Sequence, residues 1–101
     1  MTVTKVIRYK THPASADENE RLIRAVFAEL AEQNPEGLQY AAFRLDDGVS
    51  FLHVAVLDGD ENPLTASEAF GEFQSGHKDR CTEGPVPADA AVIGSYRLLP
   101  G

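Results

Sequence analysis

Apolar residues are spaced differently in successive segments of the chain, and prolines and glycines separate these segments. Val3–Lys10 is rich in β-branched and aromatic residues, which predicts a first strand. In Asp17–Gln33 the apolar residues recur three and four positions apart, which predicts an amphipathic helix that ends at the pair Asn34-Pro35. The apolar face of this helix consists of Leu22, Ile23, Val26, Phe27 and Leu30.

Three further strands are predicted in the remainder of the chain. Leu38–Asp46 and Ser50–Leu57 are apolar segments of strand length, and Gly48 permits the tight turn that would join them into a hairpin. Thr82–Asp89 contains a glycine and two prolines, which predicts a loop. Ala91–Leu99 is again mostly apolar and predicts the fourth strand.

A second helix is predicted between the hairpin and the fourth strand. Asn62 can accept a hydrogen bond from the free N–H groups at its start, and Pro63 loses no hydrogen bond there. The helix should run to about Arg80, with a bend after Phe73 because two glycines weaken its second half. The order β-α-β-β-α-β predicts one α+β domain over residues 1–101, a ferredoxin-like fold with a four-stranded antiparallel sheet.

Both faces of the predicted sheet are apolar, which is unusual where helices cover one face only. In the third strand, Phe51, His53 and Ala55 point to one side, whereas Leu52 and Val54 point to the other. A second copy of the same sheet is the simplest cover for the face that the helices leave open. The pattern therefore predicts a homodimer formed through the open face of the sheet.

The composition excludes several classes of partner. The 101 residues carry a formal charge of -7, which repels nucleic-acid backbones and anionic lipid headgroups. No apolar run approaches the ~20 residues of a membrane span, and the first ten residues lack the apolar stretch of a signal peptide. The single cysteine, Cys81, cannot form an internal disulfide, which fits a reducing compartment. We expect a cytoplasmic protein that binds neither nucleic acid nor membranes.

Two short stretches, together with the element order, resemble a known family. They are "SEAF" at Ser67–Phe70 in the second helix and "VIGSYRL" at Val92–Leu98 in the last predicted strand. The chain resembles the dimeric α/β-barrel superfamily and, within it, the antibiotic-biosynthesis-monooxygenase-like family. The resemblance implies two sheets that face each other and a cavity in each subunit. Members of the superfamily include cofactor-free oxygenases of polycyclic phenols, haem-degrading enzymes and isomerases, so the fold does not fix the activity.

His53 and Arg44 are the candidate catalytic residues. A neutral imidazole on a cavity wall could take a proton from a phenol, and arginine keeps its own proton and could hold the resulting anion. Each residue also has a structural interpretation. His53 would be a hydrogen-bonded core residue, and Arg44 would pair with Asp46 or Asp47 at the end of its strand.

Tyr40, Asn62 and Phe51 are the candidate ligand contacts. Tyr40 and Asn62 would orient the ligand through hydrogen bonds, and Phe51 would pack against it from the face that carries His53. Asn62 is also the expected helix cap, which is the structural interpretation of the same residue.

Three hypotheses about function follow. The first is a cofactor-independent monooxygenase-like protein that acts on or binds a small aromatic or polyketide-like molecule. No cofactor or metal is expected, because nucleotide-binding motifs and paired cysteine ligands are both missing. The second is a non-catalytic dimeric module that binds a small ligand or serves as an accessory protein. The third is haem binding through His77, against which the lack of any tryptophan argues, since the haem-degrading relatives use one.

Overall fold

The computed structural model describes residues 2–59 and 62–96. Four strands form one antiparallel sheet in the order β2-β3-β1-β4, and the element order confirms the predicted ferredoxin-like α+β fold. The helices pack on one face of this sheet. The strands are β1 (Thr2–Thr11), β2 (Leu38–Arg44), β3 (Ser50–Asp58) and β4 (Cys81–Ala90), and the helices are α1 (Ala16–Gln33), α2 (Glu68–Gln74) and α3 (His77–Arg80).

The predicted position of the last strand was wrong. The predicted loop Thr82–Asp89 lies within β4, whereas Ala91–Tyr96 has no strand structure and residues 97–99 lie outside the described part of the chain. The physical reason is that β4 pairs only with β1 and forms an edge of the sheet. An edge strand needs hydrogen bonds on one side only, so it tolerates Pro85 and Pro87.

The predicted second helix is divided into three short pieces. Asn62 Oδ1 accepts a hydrogen bond from the Leu64 N–H (3.0 Å) and caps a 3₁₀ turn at Pro63–Ala66. Ser67 Oγ then accepts from the Phe70 N–H (3.0 Å) and starts α2. The expected bend after Phe73 is confirmed, because the chain breaks at Gly76, whose φ of 80° favours glycine.

The two faces of the sheet differ strongly in burial. Tyr9 and Phe51 point toward the helices and are 3% and 1% exposed, and they pack against the apolar face of α1. Val6 and Val54 are paired in register and point to the opposite face, where none of the described helices covers them. On that face Val86 is 67% exposed. The apolar open face is therefore present as expected, and its cover by a second copy stays a prediction.

Candidate functional site

A cavity of about 380 Å³ lies between the sheet and the segment that contains α2 and α3. Ile7 and Ala55 contribute to its sheet side, and Leu64, Phe70 and Phe73 contribute to the opposite side. Its volume is in the range of small-molecule sites, which are mostly apolar with a few placed polar groups. The polar side chains on its wall include Tyr9, Tyr40, His53, Asn62 and His77.

His53 is, together with Tyr9, the most enclosed of these polar groups, at 3% exposed. Both of its ring nitrogens are within hydrogen-bond distance of a tyrosine hydroxyl: Nε2 is 2.8 Å from Tyr9 Oη, and Nδ1 is 2.5 Å from Tyr40 Oη. Burial, and to a smaller extent the neighbouring His77, lower the pKa of His53 to about 4. The imidazole is therefore neutral at pH 7 and carries a single proton on the ring.

The polar chain continues from Tyr9 to two residues that the sequence did not single out. Asn19 is fully buried, and its Nδ2 donates to Tyr9 Oη (2.9 Å). Its Oδ1 accepts from Arg80 Nε (3.1 Å), and Arg80 Nη2 donates to the Phe73 carbonyl (2.5 Å). We call Arg80, Asn19, Tyr9, His53 and Tyr40 the buried polar chain.

The sequence does contain a signal for Asn19. The residue lies three and four positions before Leu22 and Ile23, so it occupies the apolar face of α1. A polar side chain on such a face is buried and needs a partner. Arg80 gives no comparable signal, because it lies at the end of a short helix where a solvent-exposed arginine is the usual expectation.

Burial also keeps the two tyrosines of the buried polar chain, Tyr9 and Tyr40, protonated. It is the largest cause of the raised pKa of both Tyr9 and Tyr40, because a phenolate would lose its hydration there. At neutral pH the two hydroxyls and the imidazole of His53 are therefore neutral groups on a cavity wall that also carries Lys5, Asn62, Gln74 and His77. These three neutral groups can donate and accept hydrogen bonds, and none of the three carries a charge.

The structure does not bring Arg44 into this cavity. Arg44 is in register with Phe51 at the hairpin end of the sheet, where its Nη1 lies 3.1 Å from Asp17 Oδ1 and 3.0 Å from Glu20 Oε1. Its Nε donates to the Gly48 carbonyl (2.9 Å). The expected pairing with the adjacent aspartates was wrong, because the first turns of α1 place two carboxylates directly over the strand end.

The other expected contacts are divided between the cavity and the core. Tyr40 and Asn62 both line the cavity, and Asn62 is at the same time the cap of its 3₁₀ turn. Phe51 is instead a core residue, at 1% exposed, whose ring stacks on Tyr9 with 5.5 Å between centroids. Phe51 therefore packs against the ring of Tyr9 in the core and does not line the cavity.

His77 lies on the cavity wall, with its ring edge-on to Tyr9 at 4.4 Å. Its Nε2 is 3.7 Å from Cys81 Sγ, and burial lowers the pKa of His77. Within residues 2–59 and 62–96, no group of three or more His, Cys, Asp or Glu side chains is placed to hold a metal ion. Over the same residues, every helix is too short or too polar to span a membrane.

Comparisons with known proteins identify the fold. No family model and no curated protein matches the sequence. A candidate antibiotic biosynthesis monooxygenase from Nitrosomonas europaea has a TM-score of 0.74 at 6% identity, over 91% of this chain and 90% of that chain. A second, from Caulobacter crescentus CB15, has a TM-score of 0.70 at 18% identity, over 92% and 91%. SnoaB, a cofactor-independent oxygenase from Streptomyces nogalater, has a TM-score of 0.64 at 24% identity, over 99% and 98%.

These similarities extend over nearly the whole chain, although the sequences have diverged widely. They agree with the element order and with the strand order of the sheet. At such identities a structural match establishes the fold, and the activity has to be argued from the site. The chain has the same fold as these solved structures, two of which are named as candidate antibiotic biosynthesis monooxygenases.

Proposed function

We propose that the chain is a cofactor-independent monooxygenase-like protein that acts on a small aromatic or polyketide-like molecule. The observation that carries the proposal is the cavity, in which aromatic and aliphatic walls surround the hydroxyl and imidazole groups of Tyr40 and His53. The apolar walls suit a flat ring system, and the polar groups suit its oxygen atoms. The similarity in fold to SnoaB, described as a cofactor-independent oxygenase, supports the reaction class.

The chemistry of such a substrate supplies its own electrons. A ring CH₂ group that is activated by a neighbouring phenol or carbonyl ionises and passes electrons to dioxygen. One oxygen atom becomes the new carbonyl, the other leaves as water with the two hydrogens of the CH₂ group, and no external reductant is consumed. The task of the protein is to exclude water, orient the ring and stabilise charge on the substrate oxygen.

His53 would take part in this reaction through Tyr40. Both nitrogens of its ring are engaged by hydroxyl groups, so a direct role as base, as expected from the sequence, would first require one of these contacts to break. Tyr40 is half-buried and lines the cavity, and it is the member of the buried polar chain that we propose to touch the substrate. Asn62 would orient the far side of the ligand, and Arg44 has no part in the proposal.

Anthrone, a tricyclic compound with one activated CH₂ group, is a suitable probe substrate. We expect the protein to accelerate oxygen consumption and quinone formation from anthrone, and we expect Tyr40→Phe and His53→Phe to reduce the rate at least tenfold. Arg44→Lys is the matched control, because it changes a polar residue on the same sheet face outside the cavity. Binding of anthrone without oxygen consumption would instead support the non-catalytic ligand-binding module.

We further propose that a second copy covers the open face of the sheet. That face presents apolar side chains to solvent, with Leu45 and Val86 at 44% and 67% exposed. Beyond β4, Val92 and Ile93 are 64% and 99% exposed. Apolar surface on this scale is typical of an interface between subunits.

Light scattering at micromolar concentration tests the dimer. The mass should be twice the 11.0 kDa of one chain. Val54→Asp places a charge on the open face, and it should shift the protein toward monomer while the helix-facing core stays intact. Wild-type protein with the mass of a single chain would contradict the proposal.

A further inference from the structure

We infer that the hydrogen bonds of the buried polar chain all run in one donor-to-acceptor direction, from Arg80 to Tyr40. The hydroxyl proton of Tyr40 then points into the cavity, so the site takes ligands with a hydrogen-bond acceptor oxygen. Carbonyl and enolate oxygens are such acceptors. The inference rests on the proposed function for the location of the ligand, and it adds the polarity of the contact. It also makes Asn19 and Arg80 positioning residues, although neither is assigned to contact the ligand.

Arg80 sets the donor-to-acceptor direction of the hydrogen bonds along the buried polar chain. A guanidinium group only donates hydrogen bonds, and it keeps its charge at any working pH. Its Nε therefore requires an acceptor on Asn19, which fixes Oδ1 toward Arg80 at 3.1 Å. The amide nitrogen of Asn19 must then face Tyr9, where Nδ2 donates to the hydroxyl oxygen at 2.9 Å.

The next two steps follow from the number of protons available. Tyr9 already accepts from Asn19, so its own proton is free to be donated to His53 Nε2, 2.8 Å away. A neutral imidazole that accepts at Nε2 carries its proton on Nδ1. That proton is donated to Tyr40 Oη at 2.5 Å. The hydroxyl proton of Tyr40 then has no acceptor along the chain, and the residue lines the cavity.

The opposite direction would leave a buried proton without a partner. If His53 carried its proton on Nε2, Tyr9 would accept from both Asn19 and His53. The Tyr9 proton would then have no acceptor along the chain, although the residue is 3% exposed. An unsatisfied buried donor is strongly disfavoured. The same unpaired proton placed on half-buried Tyr40 can be satisfied by a ligand or by water.

This direction selects among ligands of similar shape. A ketone, a quinone or an enolate accepts the Tyr40 proton, and charge that develops on its oxygen is stabilised by the same bond. A hydrocarbon of the same size fills the cavity and leaves the hydroxyl unpaired. Tyr40 therefore acts as a donor to the substrate oxygen, and His53 holds this donor in place.

The tautomer of His53 provides the first test and requires no ligand. Two-bond ¹H–¹⁵N correlation spectra distinguish a protonated ring nitrogen from an unprotonated one, and the signals of His53 are assigned with His12→Gln and His77→Gln variants. We expect the proton on Nδ1 in the wild-type protein. A proton on Nε2 would overturn the inference, whatever the ligand experiments show.

Asn19→Asp should reverse the direction of the hydrogen bonds between Tyr9, His53 and Tyr40, because aspartate has nearly the same shape as asparagine but cannot donate. A carboxylate only accepts, so it would accept from both Arg80 and Tyr9, and the His53 proton would move to Nε2. A merely structural role of Asn19 would change stability but would not move this proton. A well-folded Asn19→Asp variant that keeps the proton on Nδ1 would contradict the positioning role of Asn19.

A matched pair of tricyclic ligands tests the polarity at the cavity. Fluorenone and fluorene differ in a single carbonyl oxygen, and we expect the wild-type protein to bind fluorenone roughly three- to tenfold more tightly. The preference should vanish in Tyr40→Phe. Equal binding of the two by the wild-type protein would overturn the inference and leave the cavity as a ligand site. If the wild-type protein bound neither fluorenone nor fluorene, the proposed function would be overturned. The tautomer of His53 would still decide the direction of the hydrogen bonds in the buried polar chain.

Discussion

The chain places two arginines against the same layer of helices, and their surroundings differ. Arg44 lies at the hairpin end of the sheet with its side chain 29% exposed, and it pairs with Asp17 and Glu20. Arg80 is 9% exposed, and it donates to Asn19 and to the carbonyl of Phe73. The first is an ion pair beside solvent, and the second is a buried cation that orders a chain of neutral groups. The hydrogen bonds of Arg80 orient Asn19 and, through it, the cavity groups, whereas those of Arg44 orient surface carboxylates. The position of an arginine relative to the cavity therefore matters more than its charge.

Replacement of Arg80 should have the largest effect. Arg80→Met would leave Asn19 Oδ1 and the Phe73 carbonyl without their donor in a buried environment. The free energy of unfolding should fall by on the order of 4 kcal/mol, because several hydrogen bonds to a charged group are lost together. Urea unfolding measures this change. A loss no larger than that in Arg44→Met would remove the distinction between the two sites.

The pH dependence of stability should show the second largest effect, at His53. Its pKa of about 4 in the folded protein lies below the value of about 6.5 in the unfolded chain. The unfolded chain therefore takes up this proton first, so stability is complete above about pH 6.5 and falls as the pH drops toward 4. The full contribution is about 3 kcal/mol.

Urea unfolding between pH 7 and pH 4 measures this contribution, with His53→Gln as the comparison. The wild-type protein should lose more stability over this interval than the variant does. The neighbouring His77, whose pKa is also lowered, is present in both proteins, so the difference between the curves reports His53 and its interaction with His77. Parallel curves for the two proteins would mean that His53 is not held neutral by burial.

Replacement of Arg44 should have the smallest effect. Arg44→Met removes the pairs with Asp17 and Glu20, both of which are beside solvent. Exposed ion pairs add little to stability and are screened by salt. We expect a small shift of the urea midpoint, a smaller one at high salt, and unchanged turnover of anthrone. A large loss of turnover would return Arg44 to the catalytic role expected from the sequence.

Much of the fold could be predicted from local patterns. The spacing of apolar residues located α1, and the glycine at position 48, with a φ of 79°, marked the hairpin. Alternation along β3 also showed that its residues divide between two apolar faces. The error at β4 arose because proline and glycine normally interrupt a strand, whereas an edge strand accepts them.

The candidate site could be predicted only in part. His53, Tyr40 and Asn62 were identified from the sequence, and all three line the cavity. The resemblance also anticipated the fold that the structural comparisons confirm. Arg44 was placed at the site because it shares a strand face with Tyr40, but it lies beyond Ala42, where that face has already left the cavity.

The sequence by itself determined the order of the elements, the position of α1 and the hairpin, and the two faces of β3, because these depend on neighbours a few positions apart. It did not place β4, whose prolines and glycine are tolerated only because the strand lies at the edge of the sheet. Only the tertiary structure decided which side chains meet. The register of β1 against β3 places Tyr9 beside His53, and the packing of α1 and α3 brings Asn19 and Arg80 to the same buried position. These contacts join residues up to 61 positions apart. A hydrogen-bonded chain is a property of distances between atoms, and those distances are fixed only when the sheet and the helices have packed together.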